Sequence, residues 1–280
     1  MIYIVVAHHK EAERVIQNLN LKKLSISGAK DIFGNTNYRL IVSGSGELSA
    51  AVATSILGAE INTLASNVFV NLGVAASTDP SDVGSIFHIH SLHSQSFGRS
   101  FYPDMIVNLG IPQRGLESWN RPFLRSETTI SGNHTLIDME AAGFYDAARC
   151  FVAPSRICVI KLVTDSGGGS LPELKRSIIQ ALSRSAHLFL DPIERLRCWI
   201  ESRPSIEHLT PLLHSIRDQL ALSETQWHDL LFRVRALSDR DDDRGLKILF
   251  ERYAAGTAHT REDKRTNFRA LLNELSVPLV

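Results

Sequence analysis

A chain of 280 residues, 44% of them apolar, can hold one large domain with a real core, or such a domain beside a smaller companion. Its 30 basic residues balance 30 acidic ones, so no net positive field points to nucleic acid. The cysteines, Cys150, Cys158 and Cys198, lack metal or redox spacing, and their odd number argues against a disulfide scaffold.

At the N-terminus, "MIYIVVA" is too short for a signal-peptide core or a bilayer span, and its charges follow it. No later stretch is long and apolar enough, which predicts a soluble, cytoplasmic protein without membrane contact. Residues 2–7 read as a buried strand and "KEAERVIQNL" as the helix after it. "YRLIVSG" is the next strand and "ELSAAVATSILGAEI" the next helix; residues 67–75, 85–92 and 155–165 continue the strand series. Strands alternating with helices predict an α/β fold, a mixed central sheet flanked by helices. Ligands of such sheets sit beyond the carboxyl ends of the strands, so the residues just after each strand are the candidates for chemistry.

The composition changes near residue 190. "DPIERLRCWIESRPS" opens a stretch with no convincing strand. Ser223-x-x-Gln226 and the opening at Thr260 to Asp263 are helix-start patterns, and the acidic run Asp241, Asp242, Asp243 suits a helix N-terminus. Residues 1–190 are therefore predicted as the α/β domain and residues 191–280 as an all-helical C-terminal appendage of roughly four or five helices. Trp199, Trp227, Phe232 and Phe250 are either a working surface of that appendage or, at helical spacing, its core. The arginines from Arg233 to Arg252 alternate with acids and read as solvated faces.

The strand ends offer chemistry in turn. His8, His9 and Glu11 follow the first strand. Asp138, Met139 and Glu140 interrupt the apolar run of "LIDMEAAGFYDAA", and Asp165 closes "CVIKLVTD" before "SGGGS". Two readings stay open at residues 138–140. Asp138 can be a helix N-cap, with Glu140 favoured by the helix dipole. Alternatively Glu140, kept ionised, grips adjacent ribose hydroxyls while Met139 offers a soft apolar surface. Asp165 likewise either caps a helix or, sheltered and raised in pKa, donates a proton to a leaving group. Glu11, Glu140 and Asp165 would meet at one edge of one sheet.

Two motifs carry less. In "HIHSLH", His88 and His90 share a strand face and His93 follows, but no acid stands at ligand spacing, so no metal site is expected. "GSGELS", with Glu60 as a distant acid, loosely resembles a dinucleotide turn. Ser49 replaces its third glycine and it follows the second strand, so it reads as a turn for close helix packing and backbone contact with a small ligand. No cofactor is expected.

"SGSGELSAAVATS", "VFVNLGVAASTDPSDVGSI", "DMEAAGFYDAA" and "VIKLVTDSGG" occur in an order and spacing that resemble the nucleoside phosphorylase and nucleosidase superfamily over roughly residues 1–188. The likeness is strongest to its methylthioadenosine/S-adenosylhomocysteine nucleosidase branch. The resemblance implies that Met139 and Glu140 contact a ribose and that Asp165 protonates the departing purine. It implies that Glu11, with Glu13 as the fallback, orients the attacking water. It also implies that Asp138, Gly46, Gly73, Val74 and Ala75 line the substrate, and that the protein is a homodimer or higher oligomer. Asn71 stands where phosphorylases of the superfamily carry a phosphate-binding arginine, which favours water as nucleophile. Arg14, Arg99 or Arg125 would have to supply that charge for a phosphorylase. The chain departs from the pattern at Val74, at Ser85, and in lacking an aromatic just before residue 138; Phe97, Phe101 or Tyr102 would then stack the base. The expected activity is hydrolysis of a purine nucleoside or related N-riboside. The alternatives are a phosphorylase and an inactive nucleoside-binding scaffold acting through its helical C-terminus.

Overall fold

The computed structural model describes residues 1–24, 30–61, 67–124, 136–168, 171–203, 206–239, 243–256 and 258–276. Arg125, Asp241 and Asp242, singled out above, lie outside them. Contacts divide the chain into two compact units, one of residues 1–61 and 67–199 and one that takes in the chain from Ile200 onward. The division falls inside a helix.

In chain order the first unit contains β1 (Ile2–Val6), α1 (His9–Asn18), β2 (Lys22–Lys23), β3 (Ile32–Gly34), β4 (Tyr38–Val42) and α2 (Glu47–Gly58). Then come β5 (Val68–Ser77), β6 (Ile86–Ser94), β7 (Arg99–Phe101), β8 (Gln113–Ser118), β9 (Leu136–Asp138), α3 (Ala141–Ala148), β10 (Ile157–Asp165), α4 (Leu171–Ser185) and α5 (Leu190–Ser202). One mixed sheet holds the strands. β1 runs parallel between β4 and β5, and β2 and β3 extend the β4 edge in antiparallel fashion. Beyond β5 the sheet closes on itself, because β5, β10, β6, β8 and β9 each pair with two neighbours in a ring.

The apolar runs of β1, β5 and β10 lack alternation because both of their faces are covered. Tyr3 and Val5 pack with Ala50, Ala53 and Leu57 of α2 and Phe144 of α3, while Ile2, Ile4 and Val6 face the opposite way, toward the α1 side. β2, β3, β7, β8 and β9 were not legible as strands in the sequence. β2, β3, β7 and β9 have two or three residues each, and "QRGLES" of β8 looks polar, although its Glu117 is buried and accepts a hydrogen bond from Trp119 Nε1 at 2.9 Å.

α2 and α3 cross at Gly143, where a Cβ would come 2.1 Å from the carbonyl oxygen of Glu47. That contact is with backbone and cannot be relieved by a rotamer. Gly143→Ala should therefore destabilise the unit by about 1–3 kcal/mol through overpacking. A urea midpoint indistinguishable from wild type would refute this close approach.

The second unit is helical in its described residues: the end of α5, then α6 (Thr210–Leu220), α7 (Glu224–Ser238), α8 (Asp243–Ala255) and α9 (Arg261–Glu274). Reciprocal caps start two of them. Ser223 N donates to Gln226 Oε1 at 3.0 Å at the head of α7, and Thr260 N donates to Asp263 Oδ2 at 2.9 Å at the head of α9. Leu213, Ile216, Trp227, Leu230, Val234, Phe250 and Leu271 form its core. Trp227 and Phe250 thus act in packing, and Trp199 belongs to the first unit, where the Arg156 guanidinium lies 5.7 Å from its ring. No helix among the described residues is long and apolar enough to cross a membrane.

Candidate active site

The ends of β1, β5, β9 and β10 and the first turns of α1 and α4 surround a cavity of about 280 Å³. Glu11, Asp138, Met139, Glu140, Asp165, Val74 and Ala75 all line it.

Glu11 is the third residue of α1 and only 2% exposed. Its Oε2 accepts from Ala7 N at 2.8 Å and His8 N at 2.9 Å, and its Oε1 from Val74 N at 3.2 Å. The side chain thereby ties the loop after β1 to β5. Oε1, with one long bond, retains a lone pair for a ligand. Glu13 lies outside the cavity, on the solvent side with Lys10.

Asp138 and Glu140 divide their work differently from a simple cap. The helix N-cap position belongs to Glu140, while Asp138 Oδ2 reaches forward to accept from Ala141 N at 2.9 Å. The same oxygen pairs with Lys161 Nζ at 2.7 Å, and Oδ1 accepts from Ser118 Oγ at 2.6 Å. Asp138 is thus committed to the protein as well as lining the cavity. Glu140 accepts from Gly46 N at 2.9 Å through Oε1, and Oε2 has no partner among the described residues.

Lys161 was missed in the sequence. It sits in the middle of β10, 1% exposed, behind Glu11 and Asp138. Burial opposes its charge, but Asp138 and then Glu140 outweigh it and hold the ammonium above its ordinary pKa. A Cβ on Gly73 would lie 3.2 Å from Lys161 Nζ and 3.4 Å from Glu11 Oε1, so this glycine leaves room for the buried charges. Gly73 and Gly46 do not line the cavity; both were expected to touch substrate, and each instead positions a charged side chain.

At its carboxyl end β10 shifts register against β5 between Val163 and Asp165. Asp165 accepts from Gly167 N at 2.9 Å and Thr164 Oγ1 at 2.9 Å. Burial raises its pKa against those two bonds. Phe123, packed edge-on to Trp119, supplies an aromatic wall. Phe97 and Phe101, expected to stack the base, line a different depression, and Tyr102 is 70% exposed, so none of the three reaches the cavity of this chain. His8 and Ser45, joined Nε2 to Oγ at 3.0 Å, complete the rim with Arg121 and Lys175.

Arg14 and Arg99 lie away from the cavity, Arg14 in a groove with Ile179 and Arg99 beside Asp146. Asn71 is buried in β5 and donates to Val5 O at 3.1 Å. Glu60 lies 3.9 Å from Arg39 Nε in an ion pair. Burial, helped by His90, holds His88 neutral by lowering its pKa to about 4. Among the described residues no group of three or more His, Cys, Asp or Glu is placed to hold a metal.

Burial, and then the Asp138 charge, push Glu140 up to about 7. Its ordinary value is near 4.5, so between those limits the folded protein binds a proton that the unfolded chain does not. Stability should therefore fall as pH rises from 5 to 7, by on the order of 2–3 kcal/mol, and level off above. Glu140→Gln should flatten most of that slope. Urea denaturation at pH 5 and pH 8 measures it, and equal slopes in wild type and variant would refute the shift.

A mixed sheet closed on one side, with helices on both faces and an acid-lined cavity beyond the strand ends, is the fold of solved methylthioadenosine/S-adenosylhomocysteine nucleosidases. No family model matches the chain, and neither does any curated protein. Solved structures do. The 5′-methylthioadenosine/S-adenosylhomocysteine nucleosidase from Neisseria meningitidis, bound to methylthio-immucillin-A, matches at a TM-score of 0.55 and 20% identity over 69% of this chain and 97% of its own. The 5′-methylthioadenosine nucleosidase of Arabidopsis thaliana, in apo form, matches at 0.60 and 16% identity over 72% of this chain and 96% of its own. At such identities the likeness establishes the fold.

Proposed function

We propose that the α/β unit hydrolyses the N-glycosidic bond of a purine nucleoside or related N-riboside, releasing the base and the ribose moiety. The observation that carries this reading is the convergence of Glu140 Oε2, without a partner among the described residues, with Asp165 and Glu11 on one cavity. Breaking the bond builds positive charge on the sugar and negative charge on the base. Glu140 takes the ribose hydroxyls and favours the cation, with Met139, Val74 and Ala75 against the sugar. Asp165 protonates the departing purine at N7, and Phe123 stacks on it. Glu11 orients the water. Each electrostatic contribution is of the size seen on deleting single donors elsewhere, ~2–4 kcal/mol of barrier.

Water is favoured over phosphate because the cation nearest the acids, Lys161, is already paired with Asp138, and Arg14 and Arg99 lie elsewhere. A phosphate dianion in a sheltered site without its own cation would be costly. Arg121 and Lys175 at the rim keep phosphorolysis as the second reading. Reaction in isotopically labelled water with phosphate present separates them. The hydrolase puts the label on ribose C1, whereas unlabelled ribose 1-phosphate as the product would overturn the hydrolase.

The proposed substrate is a small molecule, with no cofactor. The proposed assembly is a homodimer. Leu48, Val52 and Ile56, on one stripe of α2, are 79%, 46% and 37% exposed, an apolar face suited to a second copy. Leu48→Glu should yield a monomer by sedimentation velocity; a monomeric wild type would refute the dimer.

A further inference from the structure

The second unit has a groove of its own, of about 530 Å³, between the end of α6 and the first turns of α7 and α9. Its floor is apolar, made by Leu220, Leu222 and Phe268. Its rim carries Arg261, Lys264 and Arg265, and no acid among the described residues lines it. None of these three cations forms an ion pair among the described residues, although surface arginines elsewhere in the unit do, as Arg233 does with Asp229 and Arg252 with Glu274. Arg261 and Lys264 sit in the first turn of α9, where the helix dipole disfavours them, beside Glu262 and Asp263, which it favours. Of the acids in that turn, Asp263 is held by the cap to Thr260, and Glu262 does not line the groove. Three cations around an apolar floor, without ion pairs among the described residues, mark a surface shaped for something outside the fold.

The shape and charge select the occupant. Phe268 is 6% exposed, too little for a base to stack on its ring, and the concave floor suits inserted side chains better than a flat bilayer. An amphipathic helix seats its apolar residues in such a groove and leaves its polar residues at the rim. Here those rim residues must be acidic. We propose that the groove docks an acidic amphipathic segment of a partner protein, with its apolar side chains on Leu220, Leu222 and Phe268 and its carboxylates on Arg261, Lys264 and Arg265. The helical unit is then an adaptor, whatever the α/β unit catalyses.

The test uses the full chain and a fluorescein-labelled model peptide of leucine and glutamate at helical amphipathic spacing, followed by anisotropy at physiological salt. Saturable binding is expected. It should weaken at least about tenfold for the variant Lys264→Glu, Arg265→Glu and for a peptide with glutamine in place of glutamate. Lys247→Glu, an exposed charge outside the groove, should leave it unchanged. Both substituted groove residues lie at the surface, and circular dichroism checks that the fold is kept. No binding, or equal binding by the charge-reversed protein, would overturn the proposal. So would a single-stranded oligonucleotide that binds at Lys264 and Arg265 where the peptide does not, and it would reassign the groove to nucleic acid.

Discussion

Lys161→Met is expected to destabilise the α/β unit by about 3–5 kcal/mol, the cost typical of removing one partner from a buried ion pair. Lys161 is 1% exposed, and its partner Asp138 has a fully buried side chain. Without the ammonium, Asp138 keeps only Ser118 Oγ and Ala141 N to satisfy a charge that has no access to water. Glu140, which Lys161 also stabilises in its ionised form, should titrate still higher, so the fall of stability with pH should extend to more alkaline conditions. Adding Asp138→Asn should restore much of the loss, because the expense lies in stranding one charge and not in lacking the pair. Denaturant midpoints of wild type, both single variants and the double variant form the cycle. A single-variant loss below about 1 kcal/mol, or a double variant worse than the sum, would contradict the buried pair.

Asp165→Asn should lower the turnover of a purine nucleoside by roughly 10²–10⁴-fold, the range of a positioned general acid. The fold should be unaffected, since an asparagine oxygen can still accept from Gly167 N, where Asp165 Oδ1 does now. A substrate with a leaving group that departs without a proton, such as a nitrophenyl riboside, separates protonation from positioning. Asp165→Asn should slow that substrate far less than the purine nucleoside. Glu140→Gln should slow both alike, because the sugar cation forms in either reaction. Equal losses for Asp165→Asn on the two substrates would assign Asp165 to binding instead of proton transfer.

The sheet was legible where strands are mostly apolar and β-branched, as in β1, β5 and β10, since a run covered on both faces needs no alternation. It was not legible where pairing is short. β9 has three residues, and β8 carries a buried glutamate that reads as surface. The capping patterns at Ser223 and Thr260 specified two helix starts because the cap is local chemistry, written in four residues.

The cavity was partly legible for the same reason. Strand ends converge by topology, so Glu11, Glu140 and Asp165 could be gathered without coordinates. Lys161 was hidden although a signal existed: a lysine inside "CVIKLVTD" is a cation in a strand covered on both faces, and full burial of a lysine calls for a paired acid. Phe123 was hidden because its reach depends on packing with Ala76 and Ile137, which lie on other strands. Gly46 reaches the site through the hydrogen bond its N–H donates to Glu140, and Gly73 through the room it leaves for Lys161 and Glu11, which spacing alone does not reveal.

The most direct test is free base released by the wild-type chain from methylthioadenosine, S-adenosylhomocysteine, adenosine and inosine in phosphate-free buffer, followed by chromatography. The prediction is release from at least one of them, with its rate unchanged when phosphate is added. Folded protein that releases no base from any of the four, with or without phosphate, would contradict the nucleosidase reading.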